Sequence, residues 1–237
     1  MMPSYNIGKI VGSIFQDPQR QFFSSELEGE IAFGCENYGF SKFEIQKRTK
    51  DAIHKMRLES IGKISLDLLS SGEKQRAAVA SVYAMHPEVF VFDEPTANLD
   101  KDGIIQMKNI LMQLKKAGYT LLIAEHRLSW TEELADRYLY MKDGQIQHEY
   151  SSLEFSTMND LERISKGLRR IKNRPFTKQI APPRTNNIAI QGEMISLKKN
   201  KKQILKNVDI FANEKSVTAI TGNNGAGKTS LALILSG

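Results

Sequence analysis

Cysteine is all but missing from these 237 residues. Cys35 stands alone, so no internal disulfide can form, and a single thiol suits a reducing compartment. Long apolar runs are missing as well, and none approaches the roughly 20 residues that span a bilayer. The opening residues, Met1 to Asn6, lack the basic and apolar regions of a signal peptide. The expectation is a soluble, cytoplasmic chain, docked on a membrane at most. Acidic residues are absent from Arg163 to Arg184, a stretch with eight basic ones. Such a run suits a patch for nucleic acid or anionic lipid, or more simply a solvated linker. Its one aromatic, Phe176, is too little for a single-strand stacking platform.

What is present is ordinary for a globular chain. Hydrophobic residues make up 41% and charged residues 25%, with a net charge of +6. That supports one good core or two small ones. The pattern alternates strand and helix. Residues 8–15 read as a buried strand running into Gln16. Residues 26–59 read as helical, with Ser41 as an N-cap inside the span. A helix is expected from Glu73 to residue 85, stopped by His86-Pro87. The short apolar run at residues 89–92 suits a central parallel strand, buried on both faces. Ile104, Met107, Leu111 and Leu114 form a helical stripe that ends at Gly118. Tyr119 to Ala124 is a further buried strand, and Lys142-Asp143-Gly144 signals a hairpin turn. Order then gives way to a Pro-broken stretch. It resumes with strands at residues 188–197 and 203–211 and a β-branched strand from Ser216 to Thr221. This alternation implies an α/β sheet with helices on its faces.

The chemistry begins at Gly222-Asn223-Asn224-Gly225-Ala226-Gly227-Lys228-Thr229-Ser230. Its glycines let successive backbone N–H groups turn inward as a nest for polyphosphate at a helix N-terminus. In that pattern Lys228 reaches the β- and γ-phosphates and the Thr229 hydroxyl ligates Mg²⁺. Far upstream, Asp93 and Glu94 close an apolar strand, which delivers carboxylates to the ligand-binding edge of a parallel sheet. Asp93 suits a metal held through water, and Glu94 suits polarisation of an attacking water.

With Pro95-Thr96-Ala97-Asn98-Leu99-Asp100 following, the chain resembles the ABC-type ATPases. Leu69-Ser70-Ser71-Gly72-Glu73 resembles their signature loop, with Ser71 in place of a usual glycine. Asp100 falls in the D-loop. Gln16 resembles the Q-loop glutamine that senses Mg²⁺, and His126 resembles the switch histidine on the γ-phosphate. Gln16-Asp17-Pro18, Gln21-Phe22-Phe23, Glu30-Ile31-Ala32-Phe33-Gly34 and Glu125-His126-Arg127-Leu128 are similar to the ATPases of energy-coupling-factor importers of vitamins and metal ions. The resemblance implies a phosphate-loop NTPase core with a parallel sheet and a helical signature subdomain. It implies ATP and Mg²⁺ as ligands, a transmembrane coupling protein and a substrate-binding membrane protein as partners, and a place on the inner face of the cell membrane. It implies no nucleic acid partner. One position departs from the pattern: Leu197-Lys198-Lys199-Asn200 offers no aromatic where such proteins often stack adenine.

The order of the motifs is inverted, since the phosphate loop follows everything it normally precedes. The chain resembles the middle of a tandem. Residues 1–165 correspond to the later two-thirds of a first nucleotide-binding domain, 166–185 to a basic linker, and 186–237 to the opening of a second domain. The fold is then an incomplete or circularly permuted domain. In the head-to-tail dimer of this family, Lys228 and Ser70 serve one nucleotide, while Glu94, Gln16 and His126 serve the other. Two alternatives stay open. One is a truncated remnant that only binds partners. The other is a non-transport ABC protein on ribosome or DNA, against which stands the lack of a heptad run between Gln16 and Leu69.

Overall fold

The computed structural model describes residues 4–61, 64–168, 187–199, 202–214, 216–220, 222 and 225–236. The chain divides into two units, Met1–Asn173 and Arg174–Gly237.

The first unit runs α1 (Ser4–Ile10), β1 (Val11–Ile14), α2 (Leu27–Asn37), α3 (Lys42–Lys55), α4 (Ser71–Ala84), β2 (Val89–Asp93), α5 (Lys101–Lys116) and β3 (Thr120–Ala124). It closes with β4 (Arg137–Lys142), β5 (Gln145–Ser151), α6 (Ser152–Thr157) and α7 (Asp160–Ser165). Strands β1, β2 and β3 make a parallel sheet with β2 in the middle. Its register pairs Ile14 with Phe92, and Asp93 with Ala124. All three strands therefore end at one edge.

Phe90 and Phe92 point into the core, each fully buried. Around them gather Ile14 from β1, Val79 and Val82 from α4, and Met107, Ile110, Leu111 and Leu114 from α5. Tyr119 meets Phe90 edge-on, with ring centroids 5.2 Å apart, a geometry worth about 1 kcal/mol beyond area burial. Helix α4 packs on α2, α3 and β1, which is why Ala77 through Ala84 are all buried. The approach to β1 depends on Gly12, because a Cβ there would overlap Val82.

Four expectations change in this unit. The strand expected from residue 8 starts at Val11, and residues 8–10 finish α1 instead. At that junction the Glu88 N–H still bonds the Ile10 carbonyl at 2.9 Å, so the neighbouring chain meets β1 where α1 ends. Helix α4 starts at Ser71, two residues before Glu73, since Ser70 is its N-cap. The sheet is covered on one face only within this unit: Val89 and Val91 are half-buried and Leu122 is 54% exposed. Arg163, expected to open a solvated basic run, is 2% exposed. Its guanidinium lies 4.6 Å from the Phe155 ring centroid and donates to the carbonyls of Phe155 and Met158. The other basic residues of that run, Lys166 apart, lie outside the described residues, as does most of the linker expected at 166–185. The Leu168 N–H still bonds the Arg163 carbonyl at 2.8 Å, closing the end of α7.

In the second unit β6 (Ile188–Lys199) and β7 (Lys202–Asn213) form a long antiparallel hairpin, and α8 spans Lys228–Ser236. The strand expected at Ser216–Thr221 is not seen over its described residues. Residues 216–220 join no ladder among the described residues, and Val217 is 98% exposed. Thr221 lies outside the described residues. β-Branched residues supply a preference for the extended chain, but only a neighbour makes a strand.

Candidate functional site

The parallel register decides where the polar residues after each strand fall. Ile14, Phe92 and Ile123 lie opposite one another; Gln16 is two residues past Ile14, Glu94 two past Phe92 and His126 three past Ile123, so all three emerge at the carboxyl edge. Gln16 Nε2 donates to Glu94 Oε2 at 3.1 Å. His126 Nδ1 lies 3.3 Å from Glu94 Oε1. Glu94 is thus clasped on both carboxylate oxygens, with its side chain 32% exposed and that of His126 41% exposed. The Glu94 backbone sits at φ 42°, in the left-handed region that costs a non-glycine residue about 1–2 kcal/mol. Its N–H is tied to the Ala124 carbonyl at 2.9 Å. Asp93, the last residue of β2, is exposed beside it.

Gln21 fixes the exit of β1. Its Oε1 accepts from the Phe15 N–H and its Nε2 donates to the Ser13 carbonyl, both at 3.2 Å. The turn from Gln16 to Pro18 is thereby held against the strand it leaves.

The expected signature residues lie at the start of α4. Leu69 is buried, and Ser70 and Ser71 are exposed. Ser70 and Glu73 form a reciprocal capping box: Ser70 Oγ accepts from the Glu73 N–H, and Glu73 Oε2 accepts from the Ser70 N–H at 2.8 Å. Ser70 Oγ also donates to Glu73 Oε2 at 2.7 Å, so this hydroxyl is engaged within its own helix cap. A Cβ at Gly72 would meet open space. Ser71 precedes it on the exposed first turn, which explains how serine fits where a glycine is usual. Asp100 caps α5, accepting from the Gly103 N–H at 2.9 Å.

In the second unit the phosphate-loop glycines take the backbone shapes that need glycine: φ is 148° at Gly222, 78° at Gly225 and 87° at Gly227. A Cβ at Gly227 would press on Leu205 and the Ile204 carbonyl, so α8 starts close against β7. Lys228 Nζ donates to the Gly222 carbonyl at 2.8 Å, folding the lysine over its own loop. Ala226 and Thr229 are exposed and Ser230 is half-buried. Asn223 and Asn224 lie outside the described residues.

Glu125 was given no role from the sequence, yet it is the most enclosed acid of the first unit's site. Its side chain is 2% exposed. Oε1 accepts from the N–H groups of His126 and Arg127, each at 2.8 Å. Oε2 accepts from Thr96 Oγ1 at 2.7 Å and Trp130 Nε1 at 3.2 Å. An acid next to a histidine after a strand reads as solvated loop. The available signal was its place directly after an apolar strand, as Glu94 directly follows Asp93 at the end of β2.

The first unit thus has the fold of an ABC-type nucleotide-binding domain, incomplete in extent, with Gln16, Glu94 and His126 at one edge of its sheet and Ser70 at the start of α4. Comparison with known proteins gives the same class: residues 4–97 match the family described as ABC transporter. A Treponema denticola protein, provisionally named an ABC transporter ATP-binding protein, is 36% identical over 239 residues, covering 98% of this chain and 48% of its own. The energy-coupling factor transporter ATP-binding protein EcfA of Methanocaldococcus jannaschii is 38% identical over 160 residues, covering 68% of this chain and 57% of its own. Among solved structures, cbiO1 of Clostridium perfringens, part of the ABC transporter complex cbiONQ, aligns with TM-score 0.61 and 31% identity over 68% of this chain and 64% of that one. The ATP-binding cassette MJ0796, bound to ADP and Pi, shares the fold at TM-score 0.56 and 21% identity, over 64% of this chain and 68% of that one. The chain spans about half the length of the curated relatives it matches along its whole extent, 48% in the two Treponema denticola proteins.

Proposed function

We propose that this chain is an ATP-binding and ATP-hydrolysing part of an ABC importer of the energy-coupling-factor type, powering uptake of a vitamin or metal ion. The observation that carries the reading is the clasp on Glu94: a carboxylate at the carboxyl edge of a parallel sheet, held on one oxygen by Gln16 and faced on the other by His126. In this role Glu94 orients and polarises the attacking water, and His126 offers a ring nitrogen where charge develops on the γ-phosphate. Lys228 and the backbone of residues 222–230, Asn223 and Asn224 among them, bind the polyphosphate. Ser70 and the amino end of α4, with the rest of 69–73, face the γ-phosphate of a nucleotide held in a head-to-tail dimer, and Asp100 lines the same dimer contact. For Ser70 to do so, its hydroxyl exchanges Glu73 for phosphate.

Thr229 at one nucleotide, and Asp93 and Gln16 at the other, are the groups that would hold Mg²⁺, a hard cation that prefers oxygen and keeps several waters. They fit: Asp93 is exposed at the strand end, and Gln16 turns its amide nitrogen to Glu94, which leaves the oxygen for a cation. The ion would neutralise phosphate charge. No helix among the described residues is long and apolar enough to cross a membrane. On this reading a transmembrane coupling protein and a substrate-binding membrane protein do the membrane work. The energy-coupling type is supported by the 38% identity to EcfA and the structural likeness to cbiO1. On this reading the domains divide at a basic linker over residues 166–185, and the site lies at the cytoplasmic face of the membrane.

The test is titration of the purified chain with a fluorescent ATP analogue and Mg²⁺, beside Lys228→Ala. Saturable binding that weakens at least tenfold in the variant is expected. Equal binding by both proteins would remove the phosphate loop from the account.

A further inference from the structure

The loop that carries His126 and the loop that follows Glu94 are joined by one buried carboxylate. We propose that Glu125 is a positioning residue: it locks the backbone of His126 to Thr96 and Trp130 and so holds the imidazole against Glu94. The inference rests on the function proposed above, because the geometry it protects is that of the Glu94 centre.

The hydrogen-bond inventory is specific. Four groups aim at Glu125, and all can donate: the backbone N–H groups of His126 and Arg127, the Thr96 hydroxyl and the Trp130 indole N–H. A carboxylate has about four acceptor sites and no donor, so the match is complete. Three of these donors, the two backbone N–H groups and the indole, can only donate. A glutamine of the same volume must turn its NH₂ toward one oxygen position or the other, and either choice sets it against at least one of those three. Isosteric replacement therefore breaks the junction although it preserves packing.

The junction spans the right parts. Thr96 is fully buried two residues after Glu94. The Arg127 guanidinium adds a second tie across the same gap, donating to the Thr96 carbonyl at 3.3 Å. His126 Nδ1 lies 3.3 Å from Glu94 and 3.6 Å from Glu125 Oε1. The ring thus stands between the two carboxylates, and the backbone that aims it is held by the one of them that solvent does not reach. An imidazole on an untied loop would lose that aim.

Trp130 is the chain's sole tryptophan, so its indole N–H gives one nuclear magnetic resonance signal that reports directly on Glu125. The experiment compares wild type, Glu125→Gln and Thr96→Val in the full chain. It follows the Trp130 indole signal and the ring-nitrogen signals of His126, the latter assigned with His126→Ala. Expected in Glu125→Gln, with circular dichroism unchanged, is movement of the indole signal and shift of the His126 ring signals toward those of a solvated histidine. Thr96→Val, which keeps Glu125 and removes one donor, moves the His126 signals the same way by less. Where ATP is hydrolysed, Glu125→Gln lowers kcat by about tenfold to a hundredfold, the scale set by misplacing a catalytic group, with KM for ATP changed less than threefold. His126 signals that superimpose on wild type in Glu125→Gln overturn the proposal. If that variant does not fold, unchanged His126 signals in Thr96→Val overturn it. Absence of hydrolysis in the wild type counts against the proposed function alone, since the resonance readout needs no turnover.

Discussion

Gln16 and Glu94, 78 residues apart in sequence, share a hydrogen bond of 3.1 Å. They meet because β1 and β2 run parallel in a register that brings Ile14 opposite Phe92. Two residues beyond that pair, each chain leaves the sheet on the same side. The meeting needs no long-range design beyond the ladder and the short turn that Gln21 holds in place.

The backbone at Glu94 gives the first prediction. Its φ of 42° is left-handed, so removing the side chain by two routes should give two stabilities. Glu94→Gly suits the backbone, whereas Glu94→Ala keeps the steric cost, set at about 1–2 kcal/mol. Urea unfolding is expected to show the glycine variant the more stable by about 1 kcal/mol, a margin reduced by the entropy of glycine in the unfolded chain. Alanine equal to or above glycine would mean that the turn is not strained.

Much of this was legible because it is local. Ser41 caps α3, the Asp143-Gly144 turn joins β4 and β5, and the stripe through Met107, Leu111 and Leu114 faces the core. Each follows from residues within a turn or two. What the sequence hid depends on neighbours. Ser216 to Ile220 has strand composition but no ladder. Val89 and Val91 look the same as Phe90 and Phe92 in an apolar run, yet only the phenylalanines are fully buried in the core. Arg163 counted as linker charge until Phe155 and the end of α6 were seen to enclose it. Glu125 was hidden for the same reason, since its four donors come from two loops.

The capping box at α4 gives the second prediction. Ser70→Ala removes the acceptor for the Glu73 N–H and should cost about 1 kcal/mol, read as a lower urea midpoint at unchanged slope. Glu73→Ala should cost a similar amount. The double variant should fall short of the sum, because both residues belong to one reciprocal pair. Strict additivity would show that the box does not persist in solution.

Cys35 carries the third. It is fully buried in the core, where its thiol donates to the Ala84 carbonyl at 3.3 Å. Burial pushes its pKa up, with the nearby Arg48 opposing in part, so thiolate is scarce near neutrality and access is closed. Labelling by a disulfide reagent at pH 8 should be at least a hundredfold slower in the native chain than in denaturant. Rapid native labelling would show that α2 and α4 separate readily.

The most direct test of the central claim is Mg²⁺-dependent ATP hydrolysis by the purified chain across a range of protein concentrations, beside Lys228→Ala and Glu94→Gln. The account predicts hydrolysis in the wild type and its loss in both variants, with the rate per chain rising steeply with concentration if two chains assemble the site. A folded wild type with no hydrolysis above the two variants would contradict it.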